Sequence, residues 1–432
     1  MDGLLAAGEP RRRRWFGTDG VRGVVGETLT PQLVERLGRA VTLWSGRGRV
    51  LVGRDTRGSG PELEEALARG IVEAGGTAVL AGVLPTPAVA LLAQDLGLVV
   101  SASHNPPEYN GVKVFDHEGH KLVDADELEI EALMDTPGPG GGSIEHVEHA
   151  AAGYVDHVVE HFGSDLSGLR IAVDCANGAY SDIARAVFER LGADATSIAS
   201  TPDGTNINVG CGATDLSLLR STVRAGSYDL GVAFDGDGDR MLAVDASGET
   251  VDGDQILAIC ALALQPELVV VTTMTNLGLH RLMDEHGIRV VTTDVGDRYV
   301  LEALHAEGGV LGGEQSGHLI VLDGHVTGDG LAAALTLCKA LDGRPLAEAT
   351  AVMPRFAQAK ENVRVHGAEV PAPVVREVER LNGELVGRGR VLVRPSGTEP
   401  LIRVLAEMET MEEAEALCAS IASLVRREAA TA

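Results

Sequence analysis

The chain has 432 residues, a formal net charge of -27, five cysteines and 44% hydrophobic residues. That length exceeds what one core can fill and predicts roughly three or four domains. The charge excludes a general nucleic-acid binder, which needs Lys and Arg to neutralise phosphates, but leaves room for a local basic pocket around a small phosphorylated ligand.

Cys175, Cys211, Cys260, Cys338 and Cys418 lie far apart with no CxxC pair. They suggest neither a disulfide scaffold nor a zinc site, and a reducing cytoplasm fits them. Arg11 to Arg14 precede no apolar run, so no secretory signal is expected and the run reads as a solvated arm. The longest apolar stretch, Ala78 to Val100, is interrupted by Pro85, Pro87 and Asp95 and spans no membrane.

From the N-terminus, strands are predicted at Val50 to Val52, Thr77 to Leu80 and Leu98 to Val100, with helices at Pro61 to Ala74 and Pro87 to Leu96. Pro137 to Ser143 breaks every periodicity and reads as a linker or a long surface loop. A second unit follows: a helix at Tyr154 to Phe162, a strand at Leu169 to Val173, a helix at Ser181 to Leu191, and strands at Tyr228 to Phe234 and Leu242 to Val244. A third has helices at Ile256 to Leu264, Leu277 to His286 and Tyr299 to Ala306. Its strands are Leu268 to Thr272, Arg289 to Thr293 and a pair within Val310 to Leu322. The last region runs strand (Asn362 to Val365), helix (Val374 to Leu381), strand (Arg390 to Val393), strand (Ile402 to Glu407), helix (Met411 to Arg427). The expected fold class is therefore α/β: three similar α/β domains, 1–150, 151–252 and 253–358, and a C-terminal α+β domain, 359–432.

Four loops carry the chemistry. Ser101-Ala102-Ser103-His104-Asn105-Pro106-Pro107 ends a strand, and its two prolines deny the backbone a helix, holding hydroxyl, imidazole and amide groups at the strand end. Asp235-Gly236-Asp237-Gly238-Asp239-Arg240 sets three carboxylates at alternate positions after a strand, which suits a hard cation such as Mg²⁺. An EF-hand fails because its sixth and twelfth positions would be Arg240 and Ala246. Gly312-Gly313-Glu314-Gln315-Ser316-Gly317-His318 offers an acceptor, a hydroxyl and an imidazole suited to sugar hydroxyls and proton transfer. Arg394-Pro395-Ser396-Gly397-Thr398-Glu399-Pro400, with Arg403, joins guanidinium, hydroxyl and backbone N–H donors that clasp a phosphate. No Walker-type lysine follows, so a nucleoside triphosphate site is not indicated. Phe16 to Gly23 is a compact polar loop holding Arg22.

In this order the loops resemble the α-D-phosphohexomutase superfamily across nearly the whole chain, and within it the bacterial phosphoglucosamine mutases. The resemblance rests on FGTDGVRG at 16–23, SASHNPPEYNGVK at 101–113, DGDGDR at 235–240, VDGDQIL at 251–257, VGDRYV at 295–300, GGEQSGH at 312–318 and RPSGTEPLIRV at 394–404. It implies four domains around a central cleft. Ser103 would carry a phosphoryl group, and Mg²⁺ would be held by Asp235, Asp237, Asp239 and an oxygen of the phosphoserine. Arg22, Lys113 and His318 are then candidates for cationic and proton-transfer roles. His104, Asn110, Arg240, Glu314, Ser316, Arg394, Ser396, Gly397, Thr398 and Arg403 are candidates for binding substrate. The implied reaction converts glucosamine 6-phosphate to glucosamine 1-phosphate through a glucosamine 1,6-bisphosphate intermediate, feeding UDP-N-acetylglucosamine and cell-wall precursor synthesis. The implied partner is a hexosamine phosphate, with neither nucleic acid nor membrane, and a homodimer is compatible with the resemblance.

Tyr109 stands before Asn110 where the glucosamine enzymes usually have Asp, as in phosphomannomutase or phosphoglucomutase relatives, so neutral hexose phosphates stay open as substrates, while Gln315 favours glucosamine. Two other classes also stay open: a metal-dependent sugar phosphatase with an Asp nucleophile, and a sugar-phosphate binding protein without catalysis.

Overall fold

The computed structural model describes residues 13–17, 19–46, 48–365, 369–395 and 400–429. Eighteen strands are described in chain order. They are β1 (Val21–Val24), β2 (Arg49–Arg54), β3 (Thr77–Val83), β4 (Leu96–Val100), β5 (Tyr109–Phe115), β6 (Ser143–His146), β7 (Arg170–Asp174), β8 (Asp194–Ile198) and β9 (Leu230–Phe234), followed by β10 (Met241–Asp245), β11 (Thr250–Val251), β12 (Leu268–Thr272), β13 (Arg289–Thr293), β14 (Leu311–Gly313), β15 (Leu319–Val321), β16 (Ala357–Arg364), β17 (Gly389–Pro395) and β18 (Leu401–Met408).

They form four sheets, ordered β1-β5-β4-β2-β3-β6, β11-β10-β9-β7-β8, β13-β12-β14-β15 and β16-β18-β17. In the first three the same plan recurs. A first strand (β2, β7 or β12) lies between the second (β3, β8 or β13) and the third (β4, β9 or β14). A return strand (β5, β10 or β15) then pairs antiparallel with the third. Strands buried on both faces read as continuous apolar runs: all five residues of β4, β9 and β12 are buried. The fourth sheet is antiparallel and packs one face on the helices Ala372–Glu384 and Met411–Ala429.

The chain divides into two compact units, one comprising the residues up to Thr272 together with Val291–Ala349, the other Thr273–Val290 together with the residues from Thr350. Within the second, Asn276 Nδ2 donates to Phe356 O at 2.9 Å and Leu277 N donates to Glu407 Oε1 at 3.2 Å. These bonds tie the helix Leu277–Glu285 to the segment entering β16 and to β18.

The helix expected over Pro87 to Leu96 runs from Thr86 to Leu92 instead, because Asp95 accepts Arg49 N at 2.7 Å and turns the chain into β4. Helix Pro31–Trp44, absent from the sequence expectations, is capped by Thr30 Oγ1, which accepts Leu33 N, and has Pro31 in its first turn. The glycine-rich stretch at 137–143 is a bound loop. Gly140 N and Gly142 N donate to Glu73 O and Val72 O, the end of helix Gly60–Glu73, before the chain enters edge strand β6.

His280, on helix Leu277–Glu285, has its imidazole pushed down to about 4 by burial and then by Arg390. Between about pH 6.5 and 4 the unfolded chain takes up a proton that the folded one refuses, so stability falls as pH drops through that window. In His280→Leu the midpoint of thermal unfolding of the second unit should depend less steeply on pH over that range, measured calorimetrically. An unchanged slope would refute the assignment.

Candidate active site

The three acting loops of the first unit occupy one topological position. Residues 101–108 join β4 to β5, 235–240 join β9 to β10, and 314–318 join β14 to β15. Each is the turn between the third strand of a sheet and its antiparallel return strand, at the carboxyl end where open α/β sheets place ligands.

Ser103 is buried with φ 51°, a left-handed conformation that non-glycine residues rarely adopt. Its Oγ donates to Asp235 Oδ2 at 2.5 Å and lies 3.2 Å from His104 Nδ1. Burial, then Arg240 and Arg22, push the His104 imidazole down to about 4, which leaves it neutral beside the hydroxyl at pH 7. Asn110 is buried on β5, where its amide donates to Ser59 Oγ and its oxygen accepts Gly111 N.

Asp235, Asp237 and Asp239 are buried and each turns a carboxylate oxygen to within 4.8 Å of the others. Thr86 donates to Asp237 through both its backbone N–H and its hydroxyl, fixing the middle of the loop. Burial, then Asp239 and Asp237, hold the Asp235 carboxyl well above the usual range. Asp237 Oδ1 is buried without a hydrogen-bond partner. Three crowded carboxylates, one unpartnered oxygen and a hydroxyl in reach form an all-oxygen donor set that fits a hard divalent cation.

Lys113, buried on β5, sets its Nζ 2.7 Å from both Asp237 Oδ2 and Asp239 Oδ2 and 3.3 Å from Asp19 Oδ2. Burial opposes its charge, but the three carboxylates win and hold its pKa well above the ordinary lysine value. Asp19 also pairs with Arg22 and, at 2.7 Å, with Lys121, which pairs in turn with Asp297. His318 closes the circuit, with Nε2 3.3 Å from Asp297 Oδ2 and Nδ1 3.8 Å from Asp239 Oδ1. Burial disfavours the imidazolium, yet Asp297 and then Asp239 raise the His318 pKa above its ordinary value. Arg240 Nε lies 4.0 Å from Asp239.

In the third loop, Glu314 Oε1 accepts Gly296 N at 3.0 Å and Oε2 lies 3.5 Å from the exposed Ser316 hydroxyl. In the second unit, Arg394 and Arg403 are cross-strand partners on β17 and β18, and Asn362 on β16 is the next in register. With Lys360 they line a pocket of about 300 Å³. Like charges directly opposite on a β ladder repel, and an oxyanion between them relieves that cost. Ser396, Gly397 and Thr398 lie outside the described residues.

The structure adds Asp19, Lys121, Asp297, Thr86 and Arg57 to the residues singled out in the sequence. Asp19 and Asp297 sit inside FGTDGVRG and VGDRYV, so the resemblance pointed to them. Lys121, Thr86 and Arg57 had no such signal, because their roles arise from contacts with residues 102, 151 and 46 positions or more away.

Family models described as phosphoglucomutase/phosphomannomutase alpha/beta/alpha domains I, II and III match residues 13–139, 152–248 and 252–356, and the model of the C-terminal domain matches 347–424. The chain is 48% identical to the phosphoglucosamine mutase of Moorella thermoacetica over 94% of this chain and 98% of that one. It is 49% identical to that of Pelotomaculum thermopropionicum over 95% and 98%. A phosphoglucomutase/phosphomannomutase family protein from Burkholderia thailandensis has a similar structure, with a TM-score of 0.81 at 26% identity over 95% of both chains. The fold is shared, at 18% identity and a TM-score of 0.69 over 97% and 96% of the two chains, with an Aspergillus fumigatus N-acetylphosphoglucosamine mutase solved in complex with GlcNAc-6P and magnesium.

Replacing Lys113 by Met removes the cation between Asp237 and Asp239 and should cost about 3–5 kcal/mol without divalent cations, the range for leaving buried charges uncompensated. The rise in thermal midpoint on adding Mg²⁺ should then exceed that of the unaltered protein, measured by scanning calorimetry with and without the metal. An equal or smaller rise would refute a cation site at these carboxylates.

Proposed function

Because the chain belongs to the phosphoglucomutase/phosphomannomutase family, we propose that it interconverts glucosamine 6-phosphate and glucosamine 1-phosphate through a phosphorylated Ser103 and a glucosamine 1,6-bisphosphate intermediate, supplying UDP-N-acetylglucosamine and cell-wall precursor synthesis. One observation carries the reading: Ser103 Oγ is aimed at Asp235 inside the three-carboxylate cluster. Sequence identity to phosphoglucosamine mutases over nearly the whole chain supports the choice of substrate.

Asp235, Asp237 and Asp239 would hold Mg²⁺, which when bound offsets charge on the transferring phosphoryl oxygens. The chain's own groups do the rest. Lys113 stays protonated among its carboxylates and supplies positive charge beside the phosphoryl group, as does Arg22. His318, its pKa raised by Asp297 and Asp239, is suited to give a proton to the sugar oxygen that leaves and, in its neutral form, to take one from the hydroxyl that attacks. Glu314 and Ser316 are suited to paired sugar hydroxyls, and the cationic pocket of the second unit has the chemistry for the sugar's other phosphate. Among the described residues no helix is long and apolar enough to cross a membrane, and all five cysteines are free and buried, which supports a reducing cytoplasm as the site of the reaction.

In a coupled assay with Mg²⁺, turnover should be greatest with glucosamine 6-phosphate and lower with glucose and mannose 6-phosphates. Preference for a neutral hexose would move the assignment to the relatives whose Tyr109 this chain shares. Intact-mass spectrometry should find one phosphate on Ser103. Ser103→Ala should lose turnover by at least about 10³-fold with its thermal midpoint little changed, and Asp237→Asn should require more Mg²⁺ for half-maximal rate. Release of inorganic phosphate from an aspartyl intermediate would replace the mutase reading with a phosphatase.

A further inference from the structure

Arg57 follows β2 and is fully buried, yet its guanidinium serves no partner in the apolar core. Instead it donates to four carbonyl oxygens of one loop: Ser103 at 3.0 Å, Asn105 at 2.8 Å, Tyr109 at 2.9 Å, and Pro106. Asp55, also fully buried, balances the charge by accepting Arg57 Nε at 2.9 Å and Arg57 N at 3.0 Å. Asp55 Oδ2 accepts the Ser101 hydroxyl at 2.6 Å, and that hydroxyl oxygen accepts Ser103 N at 2.9 Å. The peptide groups before and after Ser103 are therefore both tied to one buried ion pair. Asn208 Nδ2 adds a second donor, 2.9 Å from Ser103 O.

A guanidinium buried this deeply is costly unless its donors are all used, and here they are used to shape a loop. The left-handed backbone of Ser103 is sparsely populated and persists where surrounding contacts over-determine it. The contacts that do so converge on Arg57 and Asp55. Lysine could not replace the arginine, because a planar fork reaches four carbonyls spread along a loop and an ammonium offers three donors from one point.

We propose that Arg57, balanced by Asp55, is the positioning residue of the phosphoryl-carrying loop: it holds the Ser103 backbone in the conformation that aims Oγ at Asp235. Its catalytic consequence rests on the mutase reading above, while its structural consequence does not.

The test uses the full chain carrying Arg57→Lys and, separately, Ser101→Ala, which removes a single hydroxyl from the same tie. Three quantities are read: kcat and KM for glucosamine 6-phosphate, the rate at which Ser103 gains phosphate from a hexose 1,6-bisphosphate by intact mass, and hydrogen exchange across residues 101–111. Arg57→Lys should lower kcat and the Ser103 phosphorylation rate by about 100-fold with KM changed less than about 3-fold, the signature of reacting atoms held slightly out of place. Exchange should accelerate within 101–111 and little elsewhere. Ser101→Ala should lower kcat by about 10-fold with its thermal midpoint near that of the parent, and it decides the matter if Arg57→Lys does not fold. A folded Arg57→Lys or Ser101→Ala protein with the parent's kcat would overturn the proposal, as would exchange rising evenly across the first unit. Loosening confined to 101–111, in a chain whose parent form turns over no hexose phosphate, would uphold the positioning role and refute the reaction.

Discussion

Six side chains close a ring of alternating charge at the centre of the first unit: Asp239, Lys113, Asp19, Lys121, Asp297 and His318, each within 3.8 Å of the next. Three of them are buried and the other three largely so, a placement that would be prohibitive for any one taken alone. Alternation makes it tolerable, since every charge faces two of the opposite sign. It also shifts protonation equilibria: Asp19 and Asp239, which burial would push toward the neutral form, are held below the usual carboxylate range, and Lys113 and His318, which burial would discharge, have their pKa values raised. Of the three clustered carboxylates, Asp235 and Asp237 lie outside the ring, and only Asp237 touches it, through Lys113; Asp235 is set apart. It is the one pushed toward its neutral form, and the one that receives the Ser103 hydroxyl.

The ring can close because the architecture repeats. The three sheets of the first unit share a strand order, and each presents its chemistry in the turn before its return strand. One such turn brings the Ser103 hydroxyl, another the carboxylates, the third the His318 imidazole. Behind them, the Tyr154 and Tyr180 hydroxyls lie 2.6 Å from each other and each 2.8 Å from an oxygen of the Asp329 carboxylate, while Asp329 caps helix Gly330–Leu341. Gly330 N donates to Gly238 O, which ties that helix to the middle of the carboxylate loop. Gly238 has φ 82°, and a side chain there would strike the Tyr180 ring. The aspartate loop is thus backed by a rigid polar network, as a site that must hold reacting atoms to fractions of an ångström requires.

Part of this was legible in the chain. Continuous apolar runs marked the buried strands β4, β9 and β12 closely, because a strand covered on both faces has no polar side to interrupt the pattern. Helix Pro31–Trp44 carried the usual signs as well, a Thr cap, a proline at the start, and apolar residues at Leu33, Val34, Leu37 and Val41, and was nonetheless missed. The end of helix Thr86–Leu92 was not readable, since it is set by Asp95 reaching the backbone of Arg49 on another strand.

The sequence by itself determined the chemistry available: a serine held by prolines, three aspartates spaced by glycines, and a loop ending in histidine, each local because it lies within a few consecutive residues. The tertiary structure alone decided which of those groups are charged and where the serine points. Lys113 is a buried cation because Asp19, Asp237 and Asp239 come to it from distant segments, and Ser103 takes a left-handed backbone because Arg57, 46 residues earlier, gathers its carbonyls. Protonation and aim depend on distance and burial, and neither exists until the sheets have packed.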